Sequence, residues 1–147
     1  MRLRSSSIAL RSPCASSCCA AMLAVDTNVL VRVLARDGAA QADAASRFIA
    51  TGAWVSHFVL AGTVWALESV YGRAPAQLIA ALQLWLAHES LVLQDADTVA
   101  AALEHFRRRP ALGFSDCLVL AIARKAGHSP LGTFDRGLAR LPGARKL

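Results

Sequence analysis

Three aspartates occupy positions in the sequence where metal chemistry could occur. Asp26 ends the apolar run 23–25, Asp116 closes the segment Gly-Phe-Ser-Asp, and Asp135 closes the segment Gly-Thr-Phe-Asp. An apolar strand that ends in an acid places a charge at the edge where open α/β sheets have their crevice. Carboxylate oxygens are the ligands that Mg²⁺ and Mn²⁺ prefer. Three acids around one such ion would support the hydrolysis of a phosphodiester by water.

Each of the three acids also has a simpler interpretation. Asp26 and Asp116 could cap the helices that follow them, and Asp135 could be a turn or cap residue. The metal hypothesis is favoured for the set because the carboxyl ends of parallel strands and the amino ends of helices share one edge of a sheet. We therefore expect the three side chains to lie within reach of one shared ion.

Short apolar segments alternate with helical segments along the chain. This pattern predicts an α/β fold, a three-layer α/β/α sandwich with a central parallel sheet of four to five strands. The predicted strands are residues 23–25, 53–56, 91–93 and 130–133, with a further edge strand at 144–147. The predicted helices are residues 27–35, 39–50, 58–71, 76–87, 98–108, 114 or 115 to 125, and 136–140.

The chain has 147 residues, the size of one ordinary domain. Residues 1–21 are rich in Ser, Cys and Arg and have no sustained period, so we interpret them as a disordered or spurious extension before Met22. A transit-like peptide is the alternative. The domain is predicted to be residues 22–147. Its apolar stretches are interrupted well before the ~18 residues of a membrane span, so we expect a soluble protein. Cys117 is its only cysteine, so a disulfide framework is not expected and the domain is typical of a cytoplasmic protein.

The net charge of +6 is compatible with a nucleic-acid partner, although it does not require one. Basic side chains near the later acids are predicted to flank a groove for an RNA backbone: Arg124, Lys125, Arg136 and Arg140. Such contacts would give salt-dependent affinity rather than a choice of sequence. The run 107–109 is interpreted as a solvated helix end. Cys14, Cys18 and Cys19 have no downstream pair at zinc spacing.

Four motifs resemble a known family when they are taken in order. Residues 25–30, Val-Asp-Thr-Asn-Val-Leu, resemble the opening motif of the PIN-domain nucleases, in particular the VapC-type toxins of type II toxin–antitoxin pairs. Residues 63–72, 114–121 and 133–138 resemble the later motifs of that family. The resemblance implies a metal-dependent endoribonuclease that uses Mg²⁺ or Mn²⁺, forms a homodimer and is inhibited by a cognate antitoxin protein.

The resemblance also implies roles for individual residues. Asp26, Asp116 and Asp135 fall on the acids of the family and would be the metal ligands. Asn28 and Thr133 fall on polar positions that orient the site. For Asn28 an ordinary helix-terminal role remains open, and for Thr133 a simple preference for strands remains open.

One position departs from the pattern of the family. The second acid of the family normally precedes Thr-Val-Trp, and here Gly62 stands in its place. Glu68 is the nearest acid, but it lies roughly 120° around the helix and cannot simply substitute. We interpret the protein as an attenuated ribonuclease, and the alternative is a catalytically inactive PIN-fold protein that binds RNA or antitoxin. A phosphatase is disfavoured because Asn28 stands where that class needs a second acid.

Other side chains have weaker indications of function. His57 follows the second predicted strand and could face the crevice. Trp54, Trp65 and Trp85 are interpreted as core or dimer contacts, and Cys117 as a small buried residue. The apolar surface around Phe48 and residues 65–71 is a candidate interface.

Overall fold

Six α-helices and five short strands alternate along residues 22–147, the part of the chain that the computed structural model describes. The extension predicted for residues 1–21 lies outside the described residues. The strands are β1 (Leu23–Ala24), β2 (Ala53–Val55), β3 (Leu91–Leu93), β4 (Leu131–Thr133) and β5 (Ala144–Lys146). The α-helices are α1 (Thr27–Ala35), α2 (Ala39–Ala50), α3 (His57–Ser69), α4 (Pro75–Ala87), α5 (Ala96–Arg108) and α6 (Phe114–Lys125).

All strand pairs are parallel, so the predicted α/β class and strand direction are confirmed. β2 lies between β1 and β3, with Ala53 opposite both Leu23 and Leu91. β4 pairs with β5 in a separate ladder. Within residues 22–147 the expected single sheet is therefore divided into a three-stranded and a two-stranded part. β1 has only two residues, which leaves few backbone groups to extend the ladder.

The helix starts follow from side chains that accept backbone hydrogen bonds. Asp26 accepts from the N–H of Val29 at the start of α1, and Ser56 accepts from the N–H of Val59 at the start of α3. Such caps pair donors that the first turn of a helix leaves free. Pro75 opens α4, where its fixed φ and missing N–H do no harm.

The observed helix bounds differ from the predicted ones at a few ends. α3 ends at Ser69 rather than residue 71, and α5 begins at Ala96 because Asp95 turns the chain there with φ of 45°. The predicted helix 136–140 is a 3₁₀ turn, Leu138–Arg140. A second 3₁₀ turn, Pro110–Leu112, precedes α6. The bounds of α1, α2 and β3 agree with the prediction.

α5 and α6 pack against each other as an antiparallel pair. The rings of Phe106 and Phe114 meet edge to face with centroids 6.1 Å apart. At the other end, Lys125 of α6 contacts Asp97 of α5. Aromatic pairs of this geometry add to the energy of burying the two rings. The pair fixes the start of α6, and hence Asp116, relative to the core.

The tryptophans occupy three different environments. Trp85 is buried in the core, Trp54 is partly buried in β2, and Trp65 is 62% exposed. α3 also exposes Phe58, and Val70 at its end is exposed too. Trp65 is therefore a surface residue rather than a core residue.

No helix within residues 22–147 has the length and apolar character needed to cross a membrane.

Phe106→Ala tests the packing of α5 on α6. Removing a ring that is 2% exposed leaves a cavity, so we expect the free energy of unfolding to fall by about 3–5 kcal/mol. Phe58→Ala is the control, because that ring is 88% exposed and its loss should change stability by less than about 0.5 kcal/mol. Urea denaturation followed by circular dichroism measures both. Equal effects of the two variants would contradict the packing described above.

Candidate acidic site

Asp116 lies in the first turn of α6. Gly113 precedes the helix with φ of 77°, and no side chain caps it. The alternative role of Asp116 as a cap is therefore not realised. Loss of hydration raises the pKa of the Asp116 carboxyl, and the negative charge of Asp135 raises it further. The two carboxylates are thus close enough to repel each other, which is the condition that a bound cation relieves.

Asp135 is held in place by backbone hydrogen bonds. Its Oδ1 accepts from the N–H of Leu138 at 2.6 Å, and its own N–H donates to Thr133 Oγ1 at 3.0 Å. Asp135 therefore serves as a turn residue, as its simpler interpretation predicted. Thr133 is more than a strand former, because its hydroxyl positions the backbone of Asp135.

Gly137 leaves the space that this turn requires. A Cβ at Gly137 would lie 2.7 Å from Leu112 Cδ2 and 3.2 Å from Asp135 Oδ1. Its φ of −72° is ordinary, so the requirement concerns space rather than backbone conformation. A larger residue at position 137 would require the end of the Leu112 side chain to move and would displace the Asp135 carboxylate by a few tenths of an ångström.

Asp26 caps α1 and also lines an open groove of about 540 Å³. Its Oδ1 accepts from the N–H of Val29 at 3.1 Å. Asn28, Arg32 and the 39% exposed ring of Phe48 line the same groove. Arg32 is held by an ion pair with Asp37. Asp37 in turn accepts from the hydroxyl of Tyr71 at 2.7 Å. The groove therefore joins an acid, an amide, a positioned guanidinium and an aromatic ring.

The predicted meeting of all three aspartates is not seen. Among residues 22–147, no three His, Cys, Asp or Glu side chains lie close enough together to hold one metal ion. Asp135 is near enough for its charge to raise the pKa of Asp116, whereas Asp26 caps the start of α1. One oxygen of Asp26 accepts from the N–H of Val29, and β1 and β4 belong to separate ladders.

The Asp116–Asp135 pair nevertheless suits a divalent cation. Mg²⁺ is usually held by one or two carboxylates, with waters and substrate phosphates completing its shell. Asp116 accepts no cap hydrogen bond, and the contact of Asp135 with Leu138 engages only Oδ1. The two carboxylates therefore offer oxygens to an ion, and their repulsion favours its binding.

Gly62 faces the first acidic motif from α3. A Cβ at Gly62 would lie 3.1 Å from Thr27 Oγ1, with no other atom closer than 4.0 Å. A side chain at this position would therefore project next to the segment that carries Asp26 and Asn28. Glu68 is exposed and lies six residues further along α3, on a different face of the helix. The helix thus presents a glycine, and not an acid, beside Asp26.

The basic residues near the later motifs are not equally available. The ammonium group of Lys125 lies 2.8 Å from a carboxylate oxygen of Asp97 and 3.2 Å from one of Asp95. Because both ion pairs engage this group, it is not free to contact an RNA backbone as predicted. Arg108 pairs with Glu104 on the exposed face of α5.

Cys117 is fully buried, and desolvation raises the pKa of its thiol to about 11. The interpretation of Cys117 as a small buried residue is confirmed.

Two buried polar groups were not predicted from the sequence. Thr98 Oγ1 and His57 Nε2 have no hydrogen-bond partner within the described part of the chain. His57 had been a weak candidate because of its place after β2, and its backbone N–H donates to Gln94 Oε1. For Thr98 the sequence holds no indication, since a threonine near a helix start is ordinary.

A comparison with protein-family models finds one match. The model described as PIN domain matches residues 23–144, from β1 into β5, and this range includes all three aspartates. No curated protein and no solved structure matches the chain.

Asp135→Asn tests the repulsion between the two carboxylates. Because the charge of Asp135 raises the pKa of Asp116, we expect that pKa to move down toward its ordinary value. When folding raises the pKa of an acid, the free energy of unfolding of the protein decreases as the pH rises through that pKa. Without metal, the variant should therefore gain stability over the wild type at pH 7, and the gain should fade below about pH 4.

Carboxyl ¹³C NMR and thermal unfolding across pH measure the two effects. Asp43→Asn is the control, because Asp43 lies on α2 beside Arg36 and should leave the pKa of Asp116 unchanged. An unchanged Asp116 titration in Asp135→Asn would show that the two side chains do not interact.

Proposed function

The chain belongs to the PIN domain family, and on that premise we propose that it is a metal-dependent endoribonuclease that hydrolyses phosphodiester bonds of RNA. PIN domains are usually metal-dependent nucleases. The observation that carries the proposal is the match of the PIN domain model to residues 23–144, which contain Asp26, Asp116 and Asp135. The raised pKa of Asp116, caused by desolvation and by the charge of Asp135, agrees with it. Perturbed carboxyl pairs of this kind are typical of sites that bind cations or do acid–base chemistry.

Each site residue has a role in this proposal. Asp116 and Asp135 are the carboxylates that would hold Mg²⁺, or Mn²⁺ in its place. Because Asp26 does not join the other two acids around one ion, its second oxygen would contribute through water. Asn28 orients the site from the head of α1, and Thr133 positions Asp135 through the bond to its N–H. When bound, a divalent cation would supply the positive charge that polarises the phosphodiester.

The groove beside Asp26 is the proposed path of the RNA strand. The guanidinium of Arg32, fixed by Asp37, would contact a phosphate, and the ring of Phe48 would stack on a base. Phosphate contacts position a strand, whereas stacking accepts any base. The groove would therefore bind single-stranded RNA with little sequence preference.

The toxin role, the antitoxin and the homodimer are proposals from the resemblance to VapC-type proteins. The exposed side chains of Phe58, Trp65 and Val70 are the proposed dimer surface, because large exposed apolar groups mark interaction sites. An apolar groove of about 300 Å³ beside α4 is the proposed place for an antitoxin segment. Leu34, Leu67 and Leu84 line it. Residues 22–147 would form the nuclease domain of a cytoplasmic protein.

The second candidate function is binding without cleavage. Two observations favour it. Gly62 provides no carboxylate beside Asp26, and no third acid joins the Asp116–Asp135 pair in residues 22–147. Such a protein would bind RNA or antitoxin and leave the RNA intact. Cleavage assays separate the two candidates.

Asp116→Asn tests the proposed nuclease. With Mg²⁺ or Mn²⁺ and single-stranded RNA, we expect the cleavage rate to fall by roughly 10²–10⁴-fold, the range found when a group of the reaction site is lost. Asp26→Asn should also lower the rate. Asp43→Asn removes an exposed carboxylate of α2 and should cleave as the wild type does. Gel analysis of a labelled RNA and a metal titration of each variant measure these effects.

Two results would overturn this proposal. One is a wild-type protein that does not cut RNA at any concentration of Mn²⁺. The other is cleavage that persists unchanged in Asp116→Asn, since the activity would then come from another site or from a contaminating nuclease.

Gly62→Glu tests the missing acid. The new carboxylate would project beside Thr27, whose hydroxyl must shift by a few tenths of an ångström because a Cβ would lie 3.1 Å away. We expect a gain in metal-dependent cleavage of about 100-fold, the lower end of the range for an acid–base group. Gly62→Gln has the same size without the charge and should show no gain.

Equal rates for Gly62→Glu, Gly62→Gln and the wild type would mean that the glycine does not limit activity. Gly62→Ala adds only the Cβ and isolates the steric effect on Thr27. Thermal unfolding of all three variants separates a change in chemistry from a change in folding.

A further inference from the structure

Phe134 exposes its ring directly beside one acid of the candidate site. The side chain is 80% exposed, whereas Phe106 and Phe114 are buried in the core. Single exposed apolar residues are common on protein surfaces, so exposure alone indicates no function. The position of this ring is the informative feature, because the next residue in the chain is Asp135.

Hydrogen bonds fix the backbone on both sides of Phe134. The carbonyl of Thr133 accepts from the N–H of Leu147, and its hydroxyl accepts from the N–H of Asp135, both at 3.0 Å. The carbonyl of Asp135 accepts from the N–H of Ala139, also at 3.0 Å. The turn therefore holds the Cα of Phe134 in place, and only two side-chain torsions of the ring remain free. A ligand that stacks on this ring restricts little further motion.

The ring lies close to the place that a cation on Asp135 would take. Neighbouring Cα atoms are about 3.8 Å apart, so the ring of Phe134 and the carboxylate of Asp135 lie within about 10 Å of each other in any combination of rotamers. A phosphate held by such a cation would bring the nucleotides on either side of it within reach of the ring. The sequence order thus couples an aromatic face to the proposed cleavage site.

Arg136 supplies a positive charge on the other side of Asp135. Its side chain is exposed, and it takes part in none of the ion pairs formed within residues 22–147. Arg32 and Lys125, in contrast, are engaged by aspartates. A guanidinium outside such pairs is available to a backbone phosphate. Three consecutive residues therefore offer an aromatic face, a carboxylate for a cation and a positive charge.

This combination suits a nucleotide of a single strand. The bases of a duplex stack on each other, whereas an unpaired base offers its face to an aromatic side chain. The neighbours of the ring in this turn are polar, namely Thr133, Asp135 and Arg136. Interfaces between proteins have an apolar centre from which charged residues are depleted. The turn therefore favours a nucleotide over an apolar protein surface.

We propose that the ring of Phe134 stacks on an unpaired base of a nucleotide that adjoins the bond to be cut. The proposal rests on the ribonuclease function proposed above. It makes Phe134 a substrate-binding residue, and it restricts the substrate to RNA segments in which that base is unpaired. Because every base has a π face, the contact accepts all four bases.

Phe134→Ala tests the stacking contact in steady-state cleavage of an unstructured RNA by the full chain. The ring binds substrate and transition state alike, so its loss should raise KM about tenfold and leave kcat within about twofold. Asp116→Asn should instead lower kcat. Ile122→Ala is the control, because it removes an exposed apolar side chain six residues beyond Asp116 on α6 and should leave KM unchanged.

Substrates with a single abasic nucleotide identify the stacked base. The nucleotides on either side of the cut bond are made abasic one at a time. With the wild type we expect one of these substrates to show a rise in KM of about tenfold, the effect of one lost stack. Phe134→Ala should show no further rise with that substrate. If the ring only supported the turn, the two losses would multiply, because they would be independent.

Two further variants separate stacking from simple apolar contact. Phe134→Trp keeps an aromatic face and should restore the KM of the wild type, whereas Phe134→Leu keeps an apolar side chain and should behave as Phe134→Ala does. The ring is 80% exposed, so none of these changes should disturb folding. Thermal unfolding of each variant verifies this point.

The outcomes distinguish this proposal from the ribonuclease function. Equal KM values for the wild type and Phe134→Ala overturn the stacking contact and leave the nuclease standing. For a wild type that does not cut, the affinity for a fluorescent single-stranded RNA in Mg²⁺ is measured by anisotropy. A loss of affinity of roughly tenfold in Phe134→Ala then supports the stacking contact while the nuclease fails.

Two other results count against the contact. A wild type that binds no single-stranded RNA overturns it together with the nuclease. A change in the oligomeric state of Phe134→Ala, measured by light scattering, with unchanged RNA affinity would assign the ring to a protein interface instead.

Discussion

The repulsion between the carboxylates of Asp116 and Asp135 is the constraint on which the candidate site depends. Two negative charges move apart unless the fold holds them. α6 holds Asp116 through the buried side chains of Phe114, Cys117 and Leu118, which surround it in sequence. Asp135 is held by the N–H of Leu138. The energy of apolar packing thus maintains an unfavourable charge arrangement, and a cation entering it meets carboxylates that are already in place.

The sequence predicted the elements well because local chemistry determines them. Asp26, Ser56 and Pro75 mark helix starts by capping or by fixed φ, and the structure places the starts within a residue of the prediction. The apolar runs likewise predicted the five parallel strands. Their division into two ladders was not predictable, because it depends on the alignment of strands as short as two residues.

The candidate site was predicted less completely than the fold. The sequence predicted that all three aspartates converge, whereas the structure shows only an influence of Asp135 on Asp116, and no three such side chains within residues 22–147 could hold one ion. Asp26 and Asp135 turned out to act as caps or turn residues as well, so a structural role and a role in the site are not exclusive. The absence of an acid next to Thr27 could be inferred from the sequence, because Gly62 precedes Thr-Val-Trp. The unpaired hydroxyl of Thr98 could not, since burial of one oxygen depends on the packing of three elements.

Cys117 neighbours Asp116 on α6, and its environment gives this helix an internal reporter. A thiol that is fully buried and has a pKa of about 11 is almost entirely protonated near neutral pH. The thiolate is the reactive form, so alkylating reagents can attack this side chain only when the helix separates from the core. The rate of alkylation at Cys117 therefore reports how often the segment that carries Asp116 opens.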